Sequence, residues 1–214
     1  MKPYPLFNYF RLRSLYKVQT LSLNLTWRCN LKCPYCAVAI PTGKIPDSIE
    51  KTVEETKDII KSFPYKINEI QLSGGSPEMW NGFVDLANWI LDEGYFLHIN
   101  TNLTFPHILN KIRTSRKLLF IVTYHHSLNP NIFESNYNYL SSKYQIKVDE
   151  IDDREMSSEW NSTLEYYNTE NKLPYFPFSR LKKLVTPEEM KNRKTMLRIS
   201  PDHKLAISCY DACK

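Results

Sequence analysis

Glycine is scarce here, with five in 214 residues against thirteen prolines and fourteen tyrosines. That balance points to well-defined loops and aromatic packing, and it excludes a disordered chain. Long apolar runs are missing too. The longest, such as Leu118–Val122, fall far short of a membrane span. In the opening stretch MKPYPLFNYFRLRSLYK, two prolines and interrupting arginines leave no room for a signal-peptide hydrophobic region. Cysteine is limited to five, an odd number with three bunched together. This fits poorly with a secreted disulfide framework and better with metal ligation in a reducing compartment. The expectation from these absences is a cytoplasmic protein.

What is present fits a globular protein. Hydrophobic residues make up 42% and charged residues 24%, and the length permits one domain with a substantial core. The net charge of +5 comes with basic clusters at 111–117, 180–183 and 191–194 and an acidic patch at 149–155. These read first as solvated charge. The basic balance is also compatible with an anionic substrate such as a nucleotide, and the acidic patch with a cationic peptide. No RNA- or DNA-binding motif accompanies the basic clusters.

The patterning alternates between periods. Residues 19–26 alternate as a strand and run into the cysteine loop. Pro46-Asp47 predicts a helix start, with Asp47 as cap and Glu50 completing a capping box. Residues 67–73 form a strand ending in Gly74-Gly75. Trp80, Phe83, Val84, Ala87, Ile90 and Leu91 then trace one helical face, closed by Gly94. Further strands are predicted at 95–101, 118–124 and near 145–149, with helices at 105–115 and 131–142. Beyond residue 150 regularity fades, apart from a helix near 187–194 and two short strands in 196–208 around Pro201-Asp202. Strand following helix following strand predicts βαβ units and a parallel sheet.

The densest chemical signal is TWRCNLKCPYCAV, residues 26–38, where Cys29, Cys33 and Cys36 have the spacing C-x3-C-x2-C. A structural zinc site needs four protein ligands, so a fourth would have to come from elsewhere, for example from His125 or His126. A [4Fe–4S] cubane held by three thiolates leaves one iron open to a small molecule. Two further polar segments close strands: SGGSPEM, 73–79, and INTNL, 99–103. In parallel α/β sheets such strand ends are where ligands bind.

The loop CNLKCPYC after a first strand resembles the cluster loop of the radical S-adenosylmethionine (radical SAM) superfamily. The order of strand, cluster loop, helix, strand, Gly-Gly, helix, strand and Thr-Asn strengthens that resemblance over residues 19–125. It implies that Cys29, Cys33 and Cys36 hold three irons of a [4Fe–4S] cluster and that S-adenosylmethionine binds the fourth. It also implies that Gly74, Gly75 and Ser76, with Glu78, Asn100 and Asn102, meet the methionine moiety, and that Tyr35 lies near the adenine. Ser76 departs from the family pattern, in which glutamate is common, and Glu78 follows two positions later.

The implied fold is α/β, a partial (β/α)6 TIM-like barrel over 1–195, with a short C-terminal hairpin over 196–214 that carries Cys209 and Cys213. The implied activity is reductive cleavage of S-adenosylmethionine to a 5′-deoxyadenosyl radical, which abstracts hydrogen from a peptide, nucleotide or small metabolite. A low-potential electron donor such as flavodoxin or ferredoxin goes with it. His125, His126 and Cys209 are candidates for contact with substrate. Cys209 and Cys213 are open to three readings: part of a second cluster, a thiol near substrate, or buried structural cysteines. Two other readings stand beside the enzyme: a zinc-dependent nucleic-acid- or protein-binding module, and a relative that uses the cofactor without catalysis.

Overall fold

A computed structural model describes residues 20–33, 36, 50–63, 66–125, 128–151, 196–199 and 205–206. Five strands follow one another across a sheet: β1 (Thr20–Thr26), β2 (Glu69–Gly74), β3 (Phe96–Thr101), β4 (Leu118–His125) and β5 (Ile146–Ile151). Each pairs in parallel with the next. A sixth strand, β6 (Met196–Ile199), pairs in parallel with β1, and β7 (Leu205–Ala206) returns antiparallel beside it. The order β5-β4-β3-β2-β1-β6-β7 makes an open sheet with β1 in its interior. The architecture is thus α/β, an open parallel sheet of the partial-barrel kind.

Between the strands lie α1 (Val53–Ser62), α2 (Phe83–Asp92), α3 (Pro106–Leu109) and α4 (Pro130–Ser141). Their apolar stripes share one core with Leu21, Leu23, Ile70, Leu72, Leu97 and Ile99. These strand residues alternate along the chain, so one face of the sheet is covered by helices and the other carries the intervening side chains. Every helix meets that core, through Ile60, Leu86, Leu109 and Leu140 among others. Right-handed crossovers put consecutive helices on the same side of a parallel sheet, which explains the one-sided core. Among the described residues no helix is long and apolar enough to cross a membrane.

Two expectations change. The helix after the cysteine loop begins at Val53, with Thr52 as its cap. Thr52 Oγ1 accepts from the Glu55 amide at 3.2 Å, while the Glu55 carboxylate accepts from the Thr52 amide at 2.8 Å. The capping box is therefore T-x-x-E at 52–55, and Glu50 is outside the helix with a different partner. The expected helix at 105–115 is a single turn, Pro106–Leu109. Asp47, the helix near 187–194 and the Pro201-Asp202 turn lie outside the described residues.

Candidate cofactor site at the strand ends

Because β1 to β4 run in parallel, the cysteine loop, the Gly-Gly segment, the Asn-Thr-Asn segment and His125 all emerge from one edge of the sheet. The register slips between Asn24 and Thr26, where β1 hands over to the loop. Thr26 then anchors the turn. Its hydroxyl donates to Glu50 and accepts from the Arg28 amide at 3.0 Å. Arg28 in turn grips both oxygens of Glu50, at 2.7 and 2.8 Å, and reaches the Met79 carbonyl at 2.5 Å. This forked pairing is the work that Glu50 does in place of capping.

The two glycines at the end of β2 are required by contact with that same loop. The Gly75 amide donates to the Thr26 carbonyl and the Ser76 amide to the Arg28 carbonyl, both at 2.8 Å. A Cβ on Gly74 would lie 2.2 Å from the Thr26 carbonyl oxygen, and one on Gly75 would lie 2.2 Å from that of Arg28. Gly74 also sits at φ +127, a region that side chains disfavour. The Gly-Gly segment and the base of the cysteine loop are thereby zipped backbone to backbone.

Ser76 is the centre of a polar ring. Its hydroxyl donates to Asn30 Oδ1 at 2.8 Å and accepts from Asn102 Nδ2 at 3.3 Å. Asn102 Nδ2 also donates to Asn30 Oδ1 at 3.0 Å. Asn30 Nδ2 reaches Thr104 Oγ1 at 3.0 Å, and the Thr104 hydroxyl returns to Asn102 Oδ1 at 2.6 Å. Ser76 Oγ further lies 3.5 Å from Cys29 Sγ, which also accepts from the Leu31 amide at 3.4 Å. Three motifs that are distant in sequence thus share one hydrogen-bonded cluster. Asn30 and Thr104, its other members, carry no local signal: an asparagine between cysteines and a threonine after a strand are recognised only once the loops meet.

Asn100 sits two residues before Asn102 and donates to Ser73 Oγ at 3.2 Å, on the face away from the helices. Glu78 stands apart from the ring. It is buried in the 3-10 turn Pro77–Met79, and its Oε1 accepts from the Thr101 hydroxyl. Burial pushes its carboxyl up to about 7 against the opposing effect of that hydroxyl. His125 Nδ1 approaches Cys33 Sγ at 3.8 Å. Tyr35, His126, Cys209 and Cys213 lie outside the described residues.

Cys29, Cys33 and Cys36 are each partly exposed, and a backbone turn from the Cys36 amide to the Cys33 carbonyl at 3.1 Å joins two of them. Among the described residues no three of His, Cys, Asp and Glu converge closely enough to hold a single metal ion. A cubane gives each thiolate its own iron and needs them spread apart. This donor set, three soft thiolates on one loop with the Leu31 amide aimed at Cys29, fits such a cluster.

The sequence profile of the radical SAM superfamily matches residues 23–131, which span the first four strands and every element of this edge. The chain belongs to the radical SAM superfamily. That family uses a [4Fe–4S] cluster and S-adenosylmethionine, in accord with the donor set. Among curated relatives, a candidate glycyl-radical enzyme activating enzyme of Methanocaldococcus jannaschii is 31% identical over 78 residues, 36% of this chain and 29% of that protein. A GTP 3′,8-cyclase of Alkaliphilus oremlandii is 31% identical over 75 residues, 35% of this chain and 23% of that enzyme. The matched stretch therefore spans less than a third of either relative. Among solved structures, Streptococcus suis SuiB bound to precursor peptide SuiA aligns over 95% of this chain and 63% of its own, with TM-score 0.58 and 11% identity. SuiB bound to S-adenosylmethionine aligns over 90% and 58%, with TM-score 0.53 and 12% identity. At such identities these two show a shared fold.

Proposed function

We propose that this chain is a radical SAM enzyme in which Cys29, Cys33 and Cys36 hold the [4Fe–4S] cluster. In this reading Gly74, Gly75 and Ser76, with Asn100 and Asn102, receive the methionine moiety. The observation that carries it is the Cys29–Ser76–Asn30–Asn102 cluster, which joins the thiol loop to both polar strand ends. When bound, the cluster and S-adenosylmethionine supply an electron and a 5′-deoxyadenosyl radical that takes hydrogen from substrate.

The chain's own residues prepare that chemistry. The Leu31 amide donates to the Cys29 sulfur and Ser76 Oγ lies beside it, which fixes the sulfur against the polar ring. The Arg28–Glu50 fork and the Gly-Gly zipper hold the loop at the edge of the sheet. Ser76 offers a neutral oxygen where a carboxylate is common in the family, and the flanking asparagines offer neutral amides. The methionine ammonium is therefore met by dipoles at this point. Glu78, turned towards Thr101, is read as a buried support of the turn. An external low-potential donor such as flavodoxin or ferredoxin is the partner this chemistry needs, and the substrate is an organic molecule that yields a hydrogen atom.

Anaerobic reconstitution followed by incubation with reductant and S-adenosylmethionine tests the reading. About four irons per chain and formation of 5′-deoxyadenosine are expected, both lost in Cys29→Ala. One tight zinc, no iron and no 5′-deoxyadenosine would overturn it in favour of a metal-stabilised binding module.

A further inference from the structure

Among the described residues, Leu103 is the one non-glycine residue at positive φ, 64, in the left-handed region that side chains disfavour. It stands two residues past the end of β3 and is only 1% exposed. Its neighbours on either side, Asn102 and Thr104, both belong to the polar ring. A bond from the Thr104 amide to Asn102 Oδ1 at 3.1 Å spans Leu103 and closes the turn.

Backbone strain of this kind persists only where the surroundings hold it. Two side chains do so here. The Leu103 amide donates to Thr101 Oγ1 at 2.9 Å, and the Thr101 hydroxyl in turn donates to Glu78. The Leu103 carbonyl accepts from Asn136 Nδ2 at 3.0 Å. Thr101 belongs to the strand that leads into the turn, whereas Asn136 comes from α4, 33 residues further along the chain.

Asn136 breaks the pattern of its own helix. Phe133, Tyr137 and Leu140 pack on the core at i, i+4 and i+7, and Asn136, at i+3, falls within their stripe. Asparagine is a poor helix former, and an apolar side chain would serve the packing better. What asparagine adds at this position is a donor aimed at the Leu103 carbonyl.

We infer that Asn136 is a positioning residue for S-adenosylmethionine: through the backbone of Leu103 it keeps Asn102 in the polar ring. Without the tie Leu103 relaxes to negative φ, the Thr104 amide leaves Asn102 Oδ1, and the Asn102 amide is free to turn. That Asn136 holds the turn stands on its contacts alone; that the turn serves S-adenosylmethionine rests on the reading above.

The test uses the reconstituted full chain and compares the parent with Asn136→Leu, Asn136→Ala and Asn136→Gln. Amide hydrogen exchange over 101–104 reports the turn, and equilibrium dialysis of S-adenosylmethionine on the same samples reports the site. In Asn136→Leu exchange should speed up and S-adenosylmethionine should bind about tenfold more weakly, the scale on which supporting hydrogen bonds tune a site. Iron content should not change, and kcat for 5′-deoxyadenosine formation should hold while KM rises. Asn136→Ala gives the same reading should the bulkier leucine fail to fold. Asn136→Gln keeps the donor and should recover part of both effects. Parental exchange or parental binding in the folded Leu and Ala variants would overturn the inference and leave the cofactor reading standing. Unfolding of both would assign Asn136 to the core alone and overturn it too. A parent that binds no S-adenosylmethionine would instead overturn the cofactor reading, and the positioning role with it.

Discussion

His125 Nδ1 lies 3.8 Å from Cys33 Sγ, linking the end of the fourth strand to the loop after the first. An N–H directed at a cluster thiolate favours the more negative, reduced state, so it raises the reduction potential. His125→Leu should therefore make the cluster harder to reduce by some tens of millivolts. His125→Gln, which keeps a donor, should recover part of the shift. A redox titration followed by electron paramagnetic resonance reads the difference.

Glu50 ties Arg28 and Thr26 together beneath the cysteine loop. Arg28 is half exposed, so the pair itself stabilises the fold by only about 1 kcal/mol or less. Its effect should appear in the loop instead. Glu50→Gln is expected to change the melting temperature little and to speed iron loss to a chelator, measured spectrophotometrically against the parent protein.

Gly75→Ala tests the backbone zipper. The added methyl would meet the Arg28 carbonyl oxygen at 2.2 Å, so the two segments must part. A loss on the order of 2–3 kcal/mol in urea unfolding is expected, together with poor cluster incorporation. Normal stability and full iron content would show that the approach is looser than described.

Glu78 makes stability depend on pH. Its carboxyl is raised from 4.5 to about 7 in the folded state, chiefly by burial. The folded state then holds more protons than the unfolded one between those values, so stability falls as pH rises through this window. The cost reaches about 3 kcal/mol above it. Glu78→Gln should remove this decline and raise the melting temperature at pH 8 relative to the parent. Thermal unfolding of both proteins from pH 4.5 to 8 provides the comparison.

Much of this was legible in the sequence because it is local. Alternating periods marked β1 to β5, and three cysteines in one loop announced a metal group before any contact was known. The capping box was misread because two neighbouring segments, D-S-I-E at 47–50 and T-V-E-E at 52–55, carry the same signal. Glu50 was drawn away from helix capping by Arg28, a partner 22 residues off in the chain. The Gly-Gly pair was legible as a turn, but its contact with the cysteine loop was not, since no local pattern reveals what a missing Cβ makes room for. Asn30 and Thr104 were missed for the same reason. The place of β6 beside β1 also had no local cue, because a four-residue strand carries no information about its neighbour.

That last pairing has a consequence for how the protein is made. β1 leads directly into the cysteine loop, and its second neighbour is Met196–Ile199, synthesised long after it. Until then β1 has one open edge, and the loop that grows from it lacks its flanking strand. A nascent chain in this state exposes a strand that can pair wrongly and thiols that can oxidise. Insertion of iron and sulfide is therefore expected to follow synthesis of Met196–Ile199, with closure of β6 on β1 setting the earliest moment at which the site is ready.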